Sequence, residues 1–259
     1  MQEVEITRAI MDRYYAKIRA AADCDVLVAG GGPSGMVCAR DLAGKGLSVV
    51  VVEKRLAPGG GVWGGAMCWN EVAIQEEARP IAEELSVRLR EAGNGLYTAD
   101  SVELASSLIA AALRAGATIL NMCYVEDIVI EGGRIAGLVV NRTGPAQGQL
   151  PVDPFSFLSR ATLDATGHDA ALAALVARRG LRLDTETGGL MGERAMDASA
   201  GERFVVEKTG EAFPGLYVSG MATCGVWGGP RMGPVFGGML LSGRKVAGLI
   251  EKALASGEG

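Results

Sequence analysis

The chain has 259 residues, 49% of them hydrophobic, and a formal net charge of −5. This is enough apolar material for one large domain or two small ones, and the acidic balance gives no reason to expect nucleic acid as a partner. The five cysteines are widely spaced without a C-x-x-C pair, which argues against disulfides and structural zinc. The N-terminal residues lack an apolar leader and no run of about 18 apolar residues follows. We therefore expect a cytoplasmic, soluble protein with no membrane partner.

The first part of the chain predicts a glycine turn between two strands and their helices. Apolar residues at helical spacing predict a helix over 5–22. A buried strand over 25–29 then leads into Gly30-Gly31-Gly32-Pro33-Ser34-Gly35, followed by a helix over 33–45 that Gly46 ends. The next strand, over 48–52, runs into Glu53.

The rest of the chain predicts a further series of strands and helices. In order, the pattern predicts helices over 74–92 and 101–115, a strand over 118–122, a β-hairpin of 125–131 and 134–141, an irregular loop over 144–154, a strand over 161–165, a helix over 170–179, a polar mobile segment over 185–201, a strand over 216–220 and a helix over 237–254. This order predicts an α/β fold of the FAD/NAD-binding, Rossmann-like type found in glutathione reductase: three layers, a central parallel sheet and an inserted β-hairpin. We expect residues 1–259 to form a single dinucleotide-binding domain.

The glycine turn carries the most specific local signal. In the spacing Gly30-x-Gly32-x-x-Gly35, Gly30 permits a tight turn, Gly32 lets the backbone approach a pyrophosphate, and Gly35 allows the helix to pack closely on the strand. The helix N-terminus offers free N–H groups to the phosphates, and Glu53 can accept hydrogen bonds from the adenosine ribose. The turn therefore predicts dinucleotide binding, although FAD and NAD both use it.

The only histidine of the chain, His168, follows the strand over 161–165. It therefore lies at the carboxyl end of that strand, where open α/β sheets bind ligands. Asp153 stands fifteen residues earlier between two prolines, and an Asp with a His can supply two ligands of a metal and leave positions open for substrate. The alternative is a histidine at a helix start and an ordinary turn aspartate.

A second glycine-rich loop follows the strand over 216–220 and contains Arg231. Held between Pro230 and Gly233, this arginine can present a fixed fork to a carboxylate. The alternative is a surface arginine in a flexible loop.

Four of these segments together resemble the thiamine thiazole synthase family, over nearly the whole chain. They are 59–65 (GGGVWGG), 152–154 (VDP), 165–169 (ATGHD) and 230–234 (PRMGP). The likeness is greatest to the archaeal and bacterial members.

The resemblance implies an enzyme that uses NAD as a substrate. Family members release nicotinamide from NAD, condense the ADP-ribose with glycine, add sulfur, and produce an adenylated thiazole carboxylate. It also implies that Asp153 and His168 bind iron(II), and that Arg231 pairs with the glycine carboxylate. The positions that match the NAD site are Ser34, Glu53, Lys54, Gly61, Val125 and Met221. Members assemble as homo-octamers in which the metal-site aspartate comes from the neighbouring subunit.

One position departs from the family pattern. Eukaryotic members carry a sulfur-donating cysteine two residues before the metal-site aspartate, and members that use free sulfide usually carry histidine; this chain has Pro151. Free sulfide is then the expected donor, and a role for Cys68 or Cys224 is the less favoured alternative. Two other functions stay open: an FAD-dependent oxidoreductase, and a redirected family member such as a sugar-phosphate isomerase that binds NAD or ADP-ribose.

Overall fold

The computed structural model describes residues 2–257. Its strands are β1 (Asp23–Ala29), β2 (Val49–Glu53), β3 (Glu71–Gln75), β4 (Arg90–Gly93), β5 (Leu96–Asp100), β6 (Thr118–Asn121), β7 (Cys123–Glu131), β8 (Arg134–Arg142), β9 (Phe155–Asp164), β10 (Gly210–Phe213) and β11 (Leu216–Val218). Its α-helices are α1 (Glu3–Ala21), α2 (Pro33–Ala43), α3 (Arg79–Glu84), α4 (Ser101–Arg114), α5 (Thr143–Gln147), α6 (Ala171–Arg178), α7 (Ala198–Lys208), α8 (Ala222–Trp227) and α9 (Gly237–Ser256).

A mostly parallel sheet forms the centre of the fold. Its strand order is β10-β11-β9-β1-β2-β6, and all neighbours are parallel except β10 with β11. The long strand β9 also pairs through its first half with β8, which carries the antiparallel hairpin partner β7. Because parallel strands end at the same edge, the segments after β1, β2, β9 and β11 all leave the sheet on one side.

Both faces of this sheet are covered, which gives the three layers that the sequence predicts. Val26 and Val28 of β1 pack on one face in a cluster with α2, α4 and α9. Leu27 and Ala29 pack on the other face in a cluster with α6 and the β7–β8 hairpin. An apolar strand buried on both sides is typical of a parallel sheet. The predicted α/β fold with a central parallel sheet and a hairpin insertion is thus confirmed.

The helix predicted over 74–92 is wrong. This region contributes to a three-stranded sheet of order β3-β5-β4, and a 3₁₀ turn (Glu76–Ala78) and the short helix α3 lie between β3 and β4. Burial along β3 alternates, with Val72 and Ile74 buried between half-buried neighbours, so the period is two residues as in a strand. The turn between β4 and β5 contains Asn94-Gly95, both with positive φ, which is a recognised hairpin signal.

Three other segments contain helices that the sequence pattern did not predict, and one of these helices is α8, in the glycine-rich region after β11. The loop predicted over 144–154 begins inside α5, one short turn of helix. The segment predicted as mobile over 185–201 is irregular up to Asp197, whose side chain then accepts a hydrogen bond from Ala200 N at the start of α7. The mobility itself stays a prediction.

The first helix lies on the outside of the molecule. Of its residues only Ala21 is buried, and the apolar side chains of Ile10, Met11 and Tyr15 are each more than 60% exposed. No helix within residues 2–257 is long and apolar enough to cross a membrane. A contiguous apolar helix face that its own chain does not cover is a common sign of contact with another molecule.

The packing of α9 on α2 predicts opposite effects for two glycines in the same helix. A Cβ at Gly243 would lie 2.4 Å from the Ser34 carbonyl oxygen, whereas a Cβ at Gly248 meets nothing within 4 Å. We expect Gly243→Ala to lower the free energy of unfolding by about 1–3 kcal/mol through overpacking. We expect Gly248→Ala to raise it by about 0.5–1 kcal/mol, because alanine favours a helix. Urea denaturation of both variants measures the difference, and equal stabilities would contradict the close contact of the two helices.

Candidate functional site

A cavity of about 970 Å³ opens at the carboxyl edge of the central sheet, at the upper end of the roughly 300–1,000 Å³ common for small-molecule sites. Most of the residues predicted for the site line it. They are Gly30, Gly32, Ser34, Glu53, Lys54, Gly61, Val125, His168, Met221 and Arg231. Gly35 and Asp153 do not line it. The ends of β1, β2, β9 and β11 and the segments that follow them thus bring nine of these positions to one cavity, and β7 supplies the tenth, Val125.

The glycine turn after β1 has the three predicted properties. Gly30 has φ +100°, and a Cβ there would lie 2.4 Å from the Ala165 carbonyl oxygen, so only glycine fits. A Cβ at Gly35 would lie 2.2 Å from the Gly30 carbonyl oxygen, because α2 packs directly on the turn. At Gly32, by contrast, a Cβ meets nothing within 4 Å. Gly32 lines the cavity at the N-terminus of α2, and no other atoms of the chain block the approach of a ligand to its backbone.

Glu53 is a fixed hydrogen-bond acceptor at the cavity wall. It is 5% exposed, and its two carboxylate oxygens accept hydrogen bonds from Gly31 N at 2.8 Å and Arg55 N at 2.7 Å. Each oxygen keeps a further lone pair for the hydroxyls of a ligand. The adjacent Lys54 is exposed, with its Nζ 3.7 Å from the Oδ2 of Asp169.

The turn that carries His168 is held by the buried carboxylate of Asp164. One oxygen accepts from the backbone N and the hydroxyl of Thr166, and the other accepts from the backbone N of Leu172 and Ala173. The Thr166 hydroxyl in turn accepts from Ala171 N at 2.7 Å. Burial raises the pKa of Asp164, while these hydrogen bonds oppose the rise. The two side chains satisfy the first N–H groups of α6 and so fix the end of β9 to that helix.

The sequence analysis assigned no role to Glu193, which lies between two of the predicted residues. Its Oε1 is 2.6 Å from His168 Nδ1, and its Oε2 is 3.6 Å from Arg231 Nε. The three residues are distant in the chain, and Glu193 belongs to the polar segment over 185–201. Sequence spacing could not indicate Glu193, because only the fold places it next to His168 and Arg231.

Asp153 and His168 lie at opposite ends of β9. Asp153 is exposed and lies two residues before the first residue of this ten-residue strand, and His168 lies four residues after its last. At about 3.3 Å per residue the two ends are roughly 30 Å apart. Among residues 2–257, no group of three or more His, Cys, Asp or Glu side chains could hold a metal ion. One chain therefore supplies a half-exposed imidazole at the cavity, and Asp153 of the same chain is too far away to share a metal ion with it. As donors, imidazole and carboxylate suit iron(II).

The two cysteines considered as sulfur donors do not line the cavity. Cys224 is fully buried, its thiol lies 3.3 Å from the Pro230 carbonyl oxygen, and burial raises its pKa to about 11. A thiol that stays protonated is a poor nucleophile. Cys68 is exposed. The geometry gives neither residue a place at the site.

The fold and the glycine turn define a protein of the Rossmann-like, FAD/NAD-binding fold class. A geranylgeranyl bacteriochlorophyll reductase-like protein from Thermoplasma acidophilum shares this fold, with a TM-score of 0.55 at 16% identity over 91% of this chain and 80% of that one.

Within this class the chain belongs to the Thi4 family, whose model matches residues 7–236. It is 47% identical to the thiamine thiazole synthase of Thermococcus kodakarensis over 95% of this chain and 96% of the relative. Identity to the thiamine thiazole synthase of Pyrococcus horikoshii is 45% over 99% and 100%. The crystal structure of THI4 from Thermovibrio ammonificans superposes with a TM-score of 0.97 at 44% identity, covering 98% of this chain and 99% of that one. The resemblance identified from the sequence is thus confirmed.

The network around Asp164 predicts a large effect of a small substitution. In Asp164→Asn an amide NH₂ replaces one carboxylate oxygen, and in either orientation it faces at least one backbone N–H donor that loses its acceptor. We expect the free energy of unfolding to fall by about 1–3 kcal/mol. Asp169→Asn, which removes the same charge from an exposed side chain, should change it by less than about 1 kcal/mol. Urea denaturation measures both, and a wild-type value for Asp164→Asn would contradict the role of the carboxylate in the turn.

Proposed function

We propose that this chain is a thiazole synthase that converts NAD, glycine and sulfide into an adenylated thiazole carboxylate and releases nicotinamide. This product is the precursor of the thiazole half of thiamine. The observation that carries the proposal is the full-length similarity to thiamine thiazole synthases, combined with the convergence of the predicted site residues on one cavity. NAD is here a substrate and not a redox carrier.

The glycine turn and Glu53 suit the ADP half of NAD. Phosphates bind at the N-terminus of α2, where Gly32 leaves the backbone open and N–H groups are free. Glu53, held by two backbone hydrogen bonds, accepts from the adenosine ribose. Ser34, Lys54, Gly61, Val125 and Met221 line the cavity around the bound molecule. With one end anchored in this way, the other ribose is held in position for reaction.

The other end of the cavity suits glycine and a metal. The Arg231 guanidinium pairs with the glycine carboxylate as a fork of N–H donors. His168 supplies one ligand of iron(II), and Asp153 of a neighbouring subunit supplies another. These two residues would hold iron(II), which would supply Lewis-acid polarisation of the substrate. His168 and Arg231 then hold the reacting groups at a fixed separation.

Free sulfide is the proposed sulfur donor. Pro151 has no sulfur, Cys224 is buried with a raised pKa, and Cys68 is not among the residues that line the cavity. A protein whose own residues do not give up sulfur can turn over repeatedly.

The proposed assembly is a homo-octamer with sites shared between subunits. Two features support contact between copies of the chain. The apolar side of α1 is exposed, and Asp153 lies at the end of β9 remote from His168. The number eight comes from the family resemblance alone.

We expect the anaerobically purified protein to form the adenylated thiazole from NAD and glycine when iron(II) and sulfide are added. Mass spectrometry should detect several product molecules per subunit, none without sulfide and none with His168→Ala. A single product per subunit that does not depend on sulfide would instead indicate a donor within the protein.

If NAD remains intact in the complete mixture, the synthase proposal is wrong. A purified protein that is yellow with bound flavin would favour the oxidoreductase alternative.

The shared site predicts complementation between two inactive variants. Asp153→Ala lacks one proposed ligand and His168→Ala lacks the other, so each protein alone should be inactive. In a mixed assembly, a site that combines Asp153 of one copy with His168 of another is intact. Random mixing of equal amounts should restore about a quarter of the wild-type activity. The control mixes Asp153→Ala with a double Asp153→Ala/His168→Ala variant, which cannot form an intact site. Absence of recovery, once mass spectrometry shows mixed assemblies, would contradict a site shared between subunits.

A further inference from the structure

The carboxylate of Glu193 bridges the two residues that the proposed function places at the reacting end of the cavity. Its Oε1 lies 2.6 Å from His168 Nδ1, and its Oε2 lies 3.6 Å from Arg231 Nε. The Glu193 side chain is 18% exposed, whereas those of His168 and Arg231 are 53% and 58% exposed. A carboxylate that is largely shielded from solvent thus contacts His168 and Arg231, whose side chains are more than half exposed.

The backbone on both sides of Glu193 is fixed to α8 and to the loop after it, which carries Arg231. Gly192 N donates to the Gly225 carbonyl oxygen at 2.9 Å, and Arg194 N donates to the Gly229 carbonyl oxygen at 2.8 Å. Asp197 N donates to the carbonyl oxygen of Arg231 itself at 3.1 Å. These bonds fix the backbone from which the Glu193 side chain extends, independently of its contact with His168.

The contact decides which ring nitrogen of His168 carries the proton. An ionised carboxylate only accepts hydrogen bonds, so Nδ1 must be the donor. A neutral imidazole has one N–H, and Nε2 is then left with a free lone pair on a side chain that lines the cavity. Histidines that bind metals commonly donate their other N–H to a carboxylate, which fixes the tautomer and the ring orientation.

We infer that Glu193 is a positioning residue that holds His168 as the Nδ1–H tautomer, with Nε2 ready to bind the metal. Through its second oxygen it also fixes the Arg231 side chain, whose terminal N–H groups stay free for a carboxylate ligand. Glu193 therefore sets the separation between metal ligand and carboxylate fork. The claim that Nε2 binds a metal rests on the proposed function, whereas the claim that His168 is the Nδ1–H tautomer does not.

The single histidine makes the tautomer directly measurable. Protein labelled with ¹⁵N-histidine gives one pair of ring-nitrogen signals that need no assignment among residues. At about pH 9, where an imidazole is neutral, we expect a protonated Nδ1 and an unprotonated Nε2 in the wild type. In Glu193→Ala the acceptor is lost, and we expect the signals to change to those of the Nε2–H form. Glu193→Gln keeps an acceptor oxygen without the charge and should retain Nδ1–H for at least part of the molecules.

Glu186→Ala is the matched control, because it removes an exposed glutamate of the same segment that contacts neither residue. It should leave the wild-type spectrum unchanged. An Nε2–H form in the wild type, or an unchanged tautomer in Glu193→Ala, would overturn the inference. If Glu193→Ala does not fold, the wild-type tautomer still decides, because an Nε2–H form there contradicts the inference by itself.

Metal affinity gives a second measurement that does not depend on turnover. Anaerobic titration with iron(II) should give a dissociation constant 10–100-fold higher for Glu193→Ala than for the wild type or Glu186→Ala, the usual effect of losing such a carboxylate. Equal affinities would overturn the role of Glu193 in metal binding. If the wild type shows the Nδ1–H tautomer but binds no iron(II), the proposed iron site fails while the assignment of the tautomer stands.

Discussion

The buried carboxylate of Asp164 is the interaction on which the geometry of the site depends. It joins the end of the central strand β9 to the first N–H groups of α6, and the turn between them carries His168. A charge buried in this way is costly unless donors surround it, and here the donors are three backbone N–H groups and the Thr166 hydroxyl. The histidine is exposed at the cavity, but the structure that holds it is part of the core.

The same strand explains why the site is spread over several parts of the chain. β9 pairs with β1 and β11 at its carboxyl end and with the hairpin strand β8 at its amino end. The first pairings align the glycine turn, the histidine turn and the second glycine-rich loop around one cavity. The last pairing carries Asp153 away from it. On the proposed function, one subunit binds the nucleotide by itself, whereas the metal is bound at the interface between two subunits.

The sequence was most informative where local backbone rules act. The glycine spacing predicts a turn whose requirements at Gly30 and Gly35 are purely steric, and these appear in the structure. Prediction failed over 74–92. Apolar residues there are compatible with a helix, but those of β3 alternate between buried and half-buried positions as in a strand. The sequence analysis also did not recognise the Asn94-Gly95 turn between β4 and β5. Glu193 was beyond sequence reasoning, because its role arises from long-range contacts with His168 and Arg231. The family resemblance supplied roles for Asp153 and Arg231 that spacing alone left open.

The distance between the ends of β9 has a consequence for how the activity varies with protein concentration. On the proposed function a dissociated subunit keeps a complete nucleotide cavity but only half of the metal site. NAD binding per subunit is then independent of dilution, whereas the specific activity falls as subunits separate, by mass action. Assembly becomes a condition for chemistry, and a free subunit holds its substrate without consuming it.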